Sequence, residues 1–358
     1  MKTVVTITGI RPDFIRMRNV FRELDKNFNH IMVHTGQHFD DELSQNFFKE
    51  LNIRKPDYHL STGKSSKTHY EQLSYLAKEI IYLFKEKKIQ PSIVIFLGDS
   101  NSVLASVPLF KESYKIGHIE GGMRSYDRRM PEETNRVICD YVSDIVFVYT
   151  PLYKKRLIAE NKNPKNIFVV GNTITEMVKS YMPKEKKQKN YLVADIHRQE
   201  NLSSKEQYLH ILTFLNALGR KLNMKVKLVW FNRAVRLVGK NAYKQYEWLE
   251  LSGPYGYLDY LKLQYHAYGV ISDSGTAQEE CPLLHTPVVV PRGFTERPES
   301  VKFGNSILVG EHRPAEEMVK SSVDFFENYL IDKSKIGWLG DGKTSKRIVK
   351  ILKQKLRN

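Results

Sequence analysis

The chain has 358 residues, 41% of them hydrophobic and 11% aromatic, which allows one or two domains with real cores and excludes a disordered protein. Its net charge of +16 invites a nucleic-acid reading, yet the lysines and arginines are spread out, mostly at helical spacing, as in FKEKKIQ and KILKQKLRN. Only MPKEKKQKN (residues 182–190) is a dense basic run, and between two patterned halves it reads as a solvated linker.

In chain order, MKTVVTITGIR has one lysine and an apolar run broken by Gly9 and Arg11, so it reads as a first strand and not as a signal peptide. A helix is predicted from about Pro12 to Asp25, then strand HIMVHTG, helical DDELSQNFFKEL and a long helix around HYEQLSYLAKEIIYLFKEKK. Strand SIVIFLGD, helix NSVLASVPLFKES, strand KIGHIEGG, a helix around TNRVICDYVS and strand IVFVYT follow. The rhythm restarts at NYLVADIH, with helix YLHILTFLNALGRKL and strands KVKLVWF, GVISDSG, PVVVPRG and SILVG. Continuous apolar strands separated by helices imply parallel sheets covered on both faces. The predicted class is α/β, with two Rossmann-like halves meeting near residue 180. No apolar run is long enough to span a membrane. Two distant cysteines, Cys139 and Cys281, suit neither a metal cluster nor a disulfide scaffold and fit a reduced, cytoplasmic setting.

Ligands of open α/β sheets bind beyond the carboxyl ends of strands, and the polar clusters fall there. TGIRPD is not a dinucleotide fingerprint; Arg11 projects where a phosphate or sugar would lie, and an ordinary strand-to-helix turn explains the same residues. SDSGTAQEE brings small residues, Ser274, Gly275 and Thr276, that let backbone amides approach a diphosphate, with Glu280 a turn further on; a plain N-cap explains them equally well. Asp99 ends a strand in GDSNS, and His197 does the same in IHRQEN. The stretch HIEGGMRSYDRRMPEETNR holds four carboxylates and four arginines. Helix-start preference accounts for Glu132 or Glu133, but not for Glu120 beside Gly121-Gly122.

Together these segments resemble the non-hydrolysing UDP-N-acetylglucosamine 2-epimerase family. The resemblance rests on TGIRPD, TGQH, LGDSNS, HIEGGMRS, PEETNR, VVGNT, HRQEN, SDSGTAQEE, TERPE and GDGKTSKRI, in family order along nearly the whole chain. It implies a GT-B-like architecture: an N-terminal domain over 1–180, a UDP-binding domain over 181–340, a cleft between them, and a C-terminal helix (341–358) packing back on the first. It further implies that Asp99, Glu120, Glu132 and His197 are catalytic or near-catalytic. Arg11 would face the diphosphate and sugar; Ser274, Gly275, Thr276 and Glu280 would hold the nucleotide; Tyr257, in GPYGYLDY, would pack near uracil. Arg136 and Arg297 match motif arginines.

By the same resemblance, UDP leaves, a carboxylate removes the C-2 proton to give a glycal, and reprotonation from the other face with return of UDP inverts the carbon. Such chemistry needs two carboxyl groups on different faces and cations on the diphosphate, and it requires no metal, NAD or PLP. A homodimer, a UDP-sugar partner, and neither nucleic acid nor membrane are implied. Two departures stand out. The link SYDRRM between Arg124 and the PEE motif is short, which resembles members acting on modified sugars, so the expected substrate is a UDP-2-acetamido-2,6-dideoxy-L-hexose of the rhamnosamine or fucosamine type. NRAVR (232–236) lacks a family histidine, which bears on any activator-sugar site. The alternatives are UDP-N-acetylglucosamine as substrate, or a GT-B glycosyltransferase.

Overall fold

Runs of branched apolar residues without polar alternation must be covered on both faces, and Ile93–Leu97 is accordingly buried at all five residues. The structure, a computed structural model, describes residues 1–37, 47–63, 66, 68–127, 130–182, 189–330 and 332–357. It divides into two compact units, Met1–Met177 with Trp338–Asn358, and Val178–Gly337.

The first unit carries seven strands: β1 (Thr3–Thr8), β2 (Asn29–His34), β3 (Tyr58–His59), β4 (Ile93–Leu97), β5 (Ile116–Ile119), β6 (Ile145–Val148) and β7 (Ile167–Val169). They form one parallel sheet in the order β3-β2-β1-β4-β5-β6-β7. Val5 of β1 lies between Ile31 of β2 and Val94 of β4. The helix Thr344–Lys355 belongs to this unit and packs on helix Arg11–Asn27.

The second unit carries β8 (Tyr191–Asp195), β9 (Lys225–Val229), β10 (Leu249–Ser252), β11 (Gly269–Ser272), β12 (Val288–Val290) and β13 (Ser306–Leu308), again all parallel, in the order β10-β9-β8-β11-β12-β13. One face of this sheet packs Leu192, Leu228 and Ile271 against Leu212, Phe214 and Leu215 of helix Lys205–Leu222. Each such fully buried side chain contributes about 1.5–3 kcal/mol relative to an exposed one.

In both sheets the strand order reverses once, between β1 and β4 and between β8 and β11. At a reversal the flanking loops diverge to opposite faces and leave a crevice at the carboxyl edge. The topology thus gathers the loops after β1, β4 and β5 in one unit, and those after β8, β11 and β12 in the other.

Several local expectations shift. The helix expected around TNRVICDYVS begins at Pro131, because proline suits a first helical position, so Glu132 and Glu133 fall in its first turn. The helix expected over NSVLASVPLFKES is a 3-10 turn, Asn101–Ala105, followed by a short α-helix, Ser106–Lys111. The helix expected to follow SDSGTAQEE is Ala277–Leu283, while strands β3, β7 and β10 and the helices Pro151–Ala159, Tyr257–His266 and Ala315–Glu327 have no counterpart in the sequence reading. The start of the helix expected over DDELSQNFFKEL, His38 of TGQH, Arg128 and Arg129 of SYDRRM, and most of the basic linker lie outside the described residues. Among the described residues no helix is long and apolar enough to cross a membrane.

Candidate active site

In the first unit, β1 ends at Thr8 and the chain turns through Gly9 and Ile10 into helix Arg11–Asn27. Asp13, in the first turn of that helix, is buried and accepts from the amides of Gly9 (2.9 Å) and Ile10 (3.2 Å). Burial, reinforced by the nearby charges of Asp99 and Glu120, raises its carboxyl to about 7, with the two amides working the other way. One turn on, the buried guanidinium of Arg16 donates to Glu120 Oε2 at 2.9 Å, and the Tyr149 hydroxyl donates to the same oxygen at 3.1 Å.

Glu120 directly follows β5 with φ of 76°. Gly121 behind it has no room for a side chain, since a Cβ there would stand 2.2 Å from Val146 Cγ1 and 2.5 Å from Asp140 Oδ1. Asp99 follows β4, separated from it by Gly98. Its carboxylate pairs with Arg136 Nη2, and its carbonyl accepts from Asn135 Nδ2 at 3.0 Å. Arg136, buried in helix Pro131–Val142, donates its other terminal nitrogen to Glu133 at 3.2 Å. Glu133 also accepts from the amides of Ser125 (2.8 Å) and Tyr126 (3.2 Å), tying down the segment that enters the helix.

In the second unit, Asp273 just beyond β11 is fully buried and organises the loop after β8. It accepts from the amides of His197 (3.1 Å) and Arg198 (2.9 Å) and from Asn201 Nδ2 (3.0 Å). The His197 ring projects from this loop with Nδ1 3.0 Å from Asp195 Oδ1. Burial alone would lower its basicity, but Asp195 and Asp273 outweigh it and raise His197 to about 9, so it is a cation at neutral pH.

Gly275 has a steric role, because a Cβ there would meet Arg297 Nη1 at 2.6 Å and Cζ at 2.8 Å. The buried Arg297 guanidinium thus lies against the Ser274–Thr276 backbone, held by Glu279 at 3.3 Å and Glu296 at 3.4 Å. Glu280 accepts from the Tyr257 hydroxyl at 2.8 Å.

Of the residues expected from sequence, Asp99, Glu120 and Arg136 come together in the first unit, and His197, Ser274, Gly275, Thr276, Tyr257, Glu280 and Arg297 sit on the strand-end loops and following helices of the second. Arg11 is exposed at the first helical position, its guanidinium 4.9 Å from the Phe47 ring centre. Glu132 is half-buried in the first turn of helix Pro131–Val142, and its neighbour Glu133 makes the contact to Arg136.

Sequence reasoning missed Asp13, Arg16 and Asp273. Asp13 stands in the first turn of its helix, and only the pairing of β1 with β4, and β4 with β5, brings it beside Asp99 and Glu120. Arg292 was missed too; it is buried and pairs with Glu200 at 2.7 Å. Among the described residues no group of three or more His, Cys, Asp or Glu is arranged to hold a metal ion.

The sequence profile of the UDP-N-acetylglucosamine 2-epimerase family matches residues 22–353. The UDP-N-acetylglucosamine 2-epimerase of Methanococcus maripaludis is 34% identical, with 98% of both chains covered. The UDP-2,3-diacetamido-2,3-dideoxy-D-glucuronate 2-epimerase of Pseudomonas aeruginosa is 31% identical, over 98% of this chain and 99% of that one. The crystal structure of the Methanocaldococcus jannaschii UDP-GlcNAc 2-epimerase in complex with UDP-GlcNAc and UDP superposes with a TM-score of 0.88 at 32% identity, covering 99% of this chain and 100% of that one. The two Rossmann-like sheets and this superposition make the fold GT-B-like. With a profile match over most of its length and relatives above 30% identity from end to end, the chain belongs to the UDP-N-acetylglucosamine 2-epimerase family.

Proposed function

We propose that the chain inverts C-2 of a UDP-2-acetamido sugar by eliminating UDP and adding it back. The observation that carries this reading is the meeting of Asp13, Asp99 and Glu120 with the buried cations of Arg16 and Arg136 at the carboxyl ends of β1, β4 and β5. Loss of UDP leaves C-1 electron-poor, which acidifies the C-2 proton. One carboxylate takes that proton as the C-1–oxygen bond breaks, giving a glycal and UDP. A second carboxyl group returns a proton to the opposite face while UDP re-adds. Asp99 and Glu120 are the proton handlers in this reading, with Glu132 in support. His197, charged at neutral pH, stabilises the departing diphosphate. The loop from Ser274 to Thr276, with Glu280 and Arg297, holds the nucleotide; Tyr257 lines the base, and Arg11 faces the sugar diphosphate.

The substrate within this class is a UDP-2-acetamido-2,6-dideoxy-L-hexose. The short SYDRRM link supports it, and the relative named for a diacetamido uronate sugar indicates that the family extends to modified donors. A second reading, UDP-N-acetylglucosamine itself, is favoured by the names of the 34%-identical relatives. A homodimer belongs to the same proposal, and the exposed Tyr82 and Tyr141 of the first unit offer apolar surface to a partner copy.

One experiment tests both levels. Each UDP-sugar is incubated with the protein in heavy water and followed by NMR. Deuterium appears at C-2 of the product; an unlabelled C-2 ends the elimination mechanism. The 6-deoxy-L donor reacts with the higher kcat/KM, while UDP-N-acetylglucosamine is slower by about a hundredfold or less, because a site with no partner for the 6-hydroxyl rejects it only weakly. If UDP-N-acetylglucosamine wins, the second reading replaces the first.

A further inference from the structure

His118 lies in β5, two residues before Glu120, and is fully buried. Its Nε2 stands 2.8 Å from the carbonyl oxygen of Gly98, and its Nδ1 stands 2.7 Å from Asp140 Oδ1. Neither a carbonyl nor a carboxylate oxygen has a hydrogen to give, so both ring nitrogens carry protons and the ring is a cation. Burial works against that charge, yet the facing Cys139 and Asp140 raise His118 well above its usual value.

The partners matter for where they stand in the chain. Gly98 O belongs to the peptide that enters Asp99. Asp140 Oδ2 accepts from the Gly122 amide at 3.0 Å, in the turn that leaves Glu120, and pairs with Arg124 at 2.8 Å. Asp140 also sits one helical turn beyond Arg136, on the same face, and Arg136 holds the Asp99 carboxylate.

We propose that the buried His118–Asp140 pair is a positioning element that ties the Asp99 peptide to the Glu120 turn and so sets the separation of the two carboxylates. This rests on the epimerase reading of Asp99 and Glu120. Removing a proton from one face of C-2 and returning one to the other requires both groups at fixed distances from a single carbon. A hydrogen-bonded ion pair spanning the two strand ends holds that separation more tightly than either loop alone.

The test uses the full chain and three variants, His118→Gln, Glu120→Gln and the double. His118→Gln keeps a donor for Gly98 but loses the charge and the second N–H. Its kcat falls by about a hundredfold, the cost of misplacing a reacting group by roughly an ångström, with KM and the Kd for UDP nearly unchanged. In the Glu120→Gln background the additional loss is much smaller, because there is no longer a correctly charged Glu120 to position. An equal loss in both backgrounds, or a fall in UDP affinity alongside kcat, reduces His118 to a fold-stabilising residue and overturns the proposal. If His118→Gln does not fold, the 15N spectrum of histidine-labelled wild type decides: both His118 ring nitrogens carry protons at pH 8, and a neutral ring overturns the proposal. Wild type that leaves C-2 unlabelled in heavy water overturns the epimerase reading and this proposal with it. A labelling wild type with an unaffected variant overturns this proposal alone.

Discussion

Glu120 holds a left-handed backbone conformation, φ 76°, that non-glycine side chains rarely adopt, at a cost of about 1–3 kcal/mol. Hydrogen bonds from Arg16 and Tyr149 fix the carboxylate in return. His197 shows the opposite economy: an ordinary backbone and an unusual charge. Its folded-state value of about 9 lies above the 6.5 of an unfolded histidine. A raised histidine contributes stability that is fully present below about pH 6.5 and lost as pH rises through about 9. The same titration removes a cation proposed to face the diphosphate. The expectation is a Kd for UDP that weakens through pH 9 in wild type, with a parallel fall in Tm. In His197→Asn, which keeps a donor for Asp195, both profiles flatten between pH 7 and 9.5. Calorimetric titration and thermal melts at matched ionic strength check it. An unchanged pH slope in the variant assigns the transition to another group.

At the scale of elements, the site is a set of strand ends brought together by strand order. The strands that sequence reveals are those buried on both faces, such as Ile93–Leu97 and Tyr191–Asp195, because a short unbroken apolar run bounded by turn residues has to be covered on two sides. Tyr58–His59 has two residues, and Leu249–Ser252 lies at a sheet edge and is only partly buried, so neither leaves that signature. Asp99 and Glu120 are legible because each follows such a strand. Asp13 is not, because its proximity to them is set by non-local pairing of β1, β4 and β5. Helix phase, set by the start at Pro131, buries Glu133 against Arg136 and leaves Glu132 half-buried.

The β11 loop offers a test at this scale. In Gly275→Ala the new methyl group collides with the Arg297 guanidinium, which is buried and pinned by Glu279 and Glu296 and therefore has little freedom to retreat. The variant loses about 1–3 kcal/mol of stability to overpacking, read by urea unfolding. Its Kd for UDP rises at least tenfold as Arg297 is displaced. Wild-type affinity in a folded Gly275→Ala chain removes that arginine and loop from the nucleotide site.

For the whole molecule, the net charge of +16 is the feature that most tempts a different reading. Many of the cations are already matched. At the surface, Lys26 pairs with Glu23, Lys262 with Asp259 and Arg313 with Glu317, contacts of little energetic weight that nonetheless spread the positive charge thinly. The buried guanidinium groups of Arg16, Arg136, Arg292 and Arg297 all face carboxylates. A nucleic-acid reading needs exposed cations gathered along a face or helix, and Lys346, Lys350 and Lys353 of helix Thr344–Lys355 are the row that offers them.

Salt separates the two readings. Diffuse charge yields non-specific DNA binding in the range of about 10⁻⁴–10⁻⁶ M that collapses as salt rises. For an anionic donor, the same field raises the encounter rate without changing the chemistry at C-2, and it is screened over about 8–10 Å at physiological salt. Between 50 and 200 mM sodium chloride, kcat/KM for the UDP-sugar should therefore fall by a few-fold while kcat stays level. Retention of random duplex DNA on a filter should fall steeply to background over the same range. A duplex or RNA held in the nanomolar range at 200 mM salt means that the positive charge serves a nucleic-acid partner. A kcat that drops with salt while KM holds means that ions reach the carboxylate cluster itself.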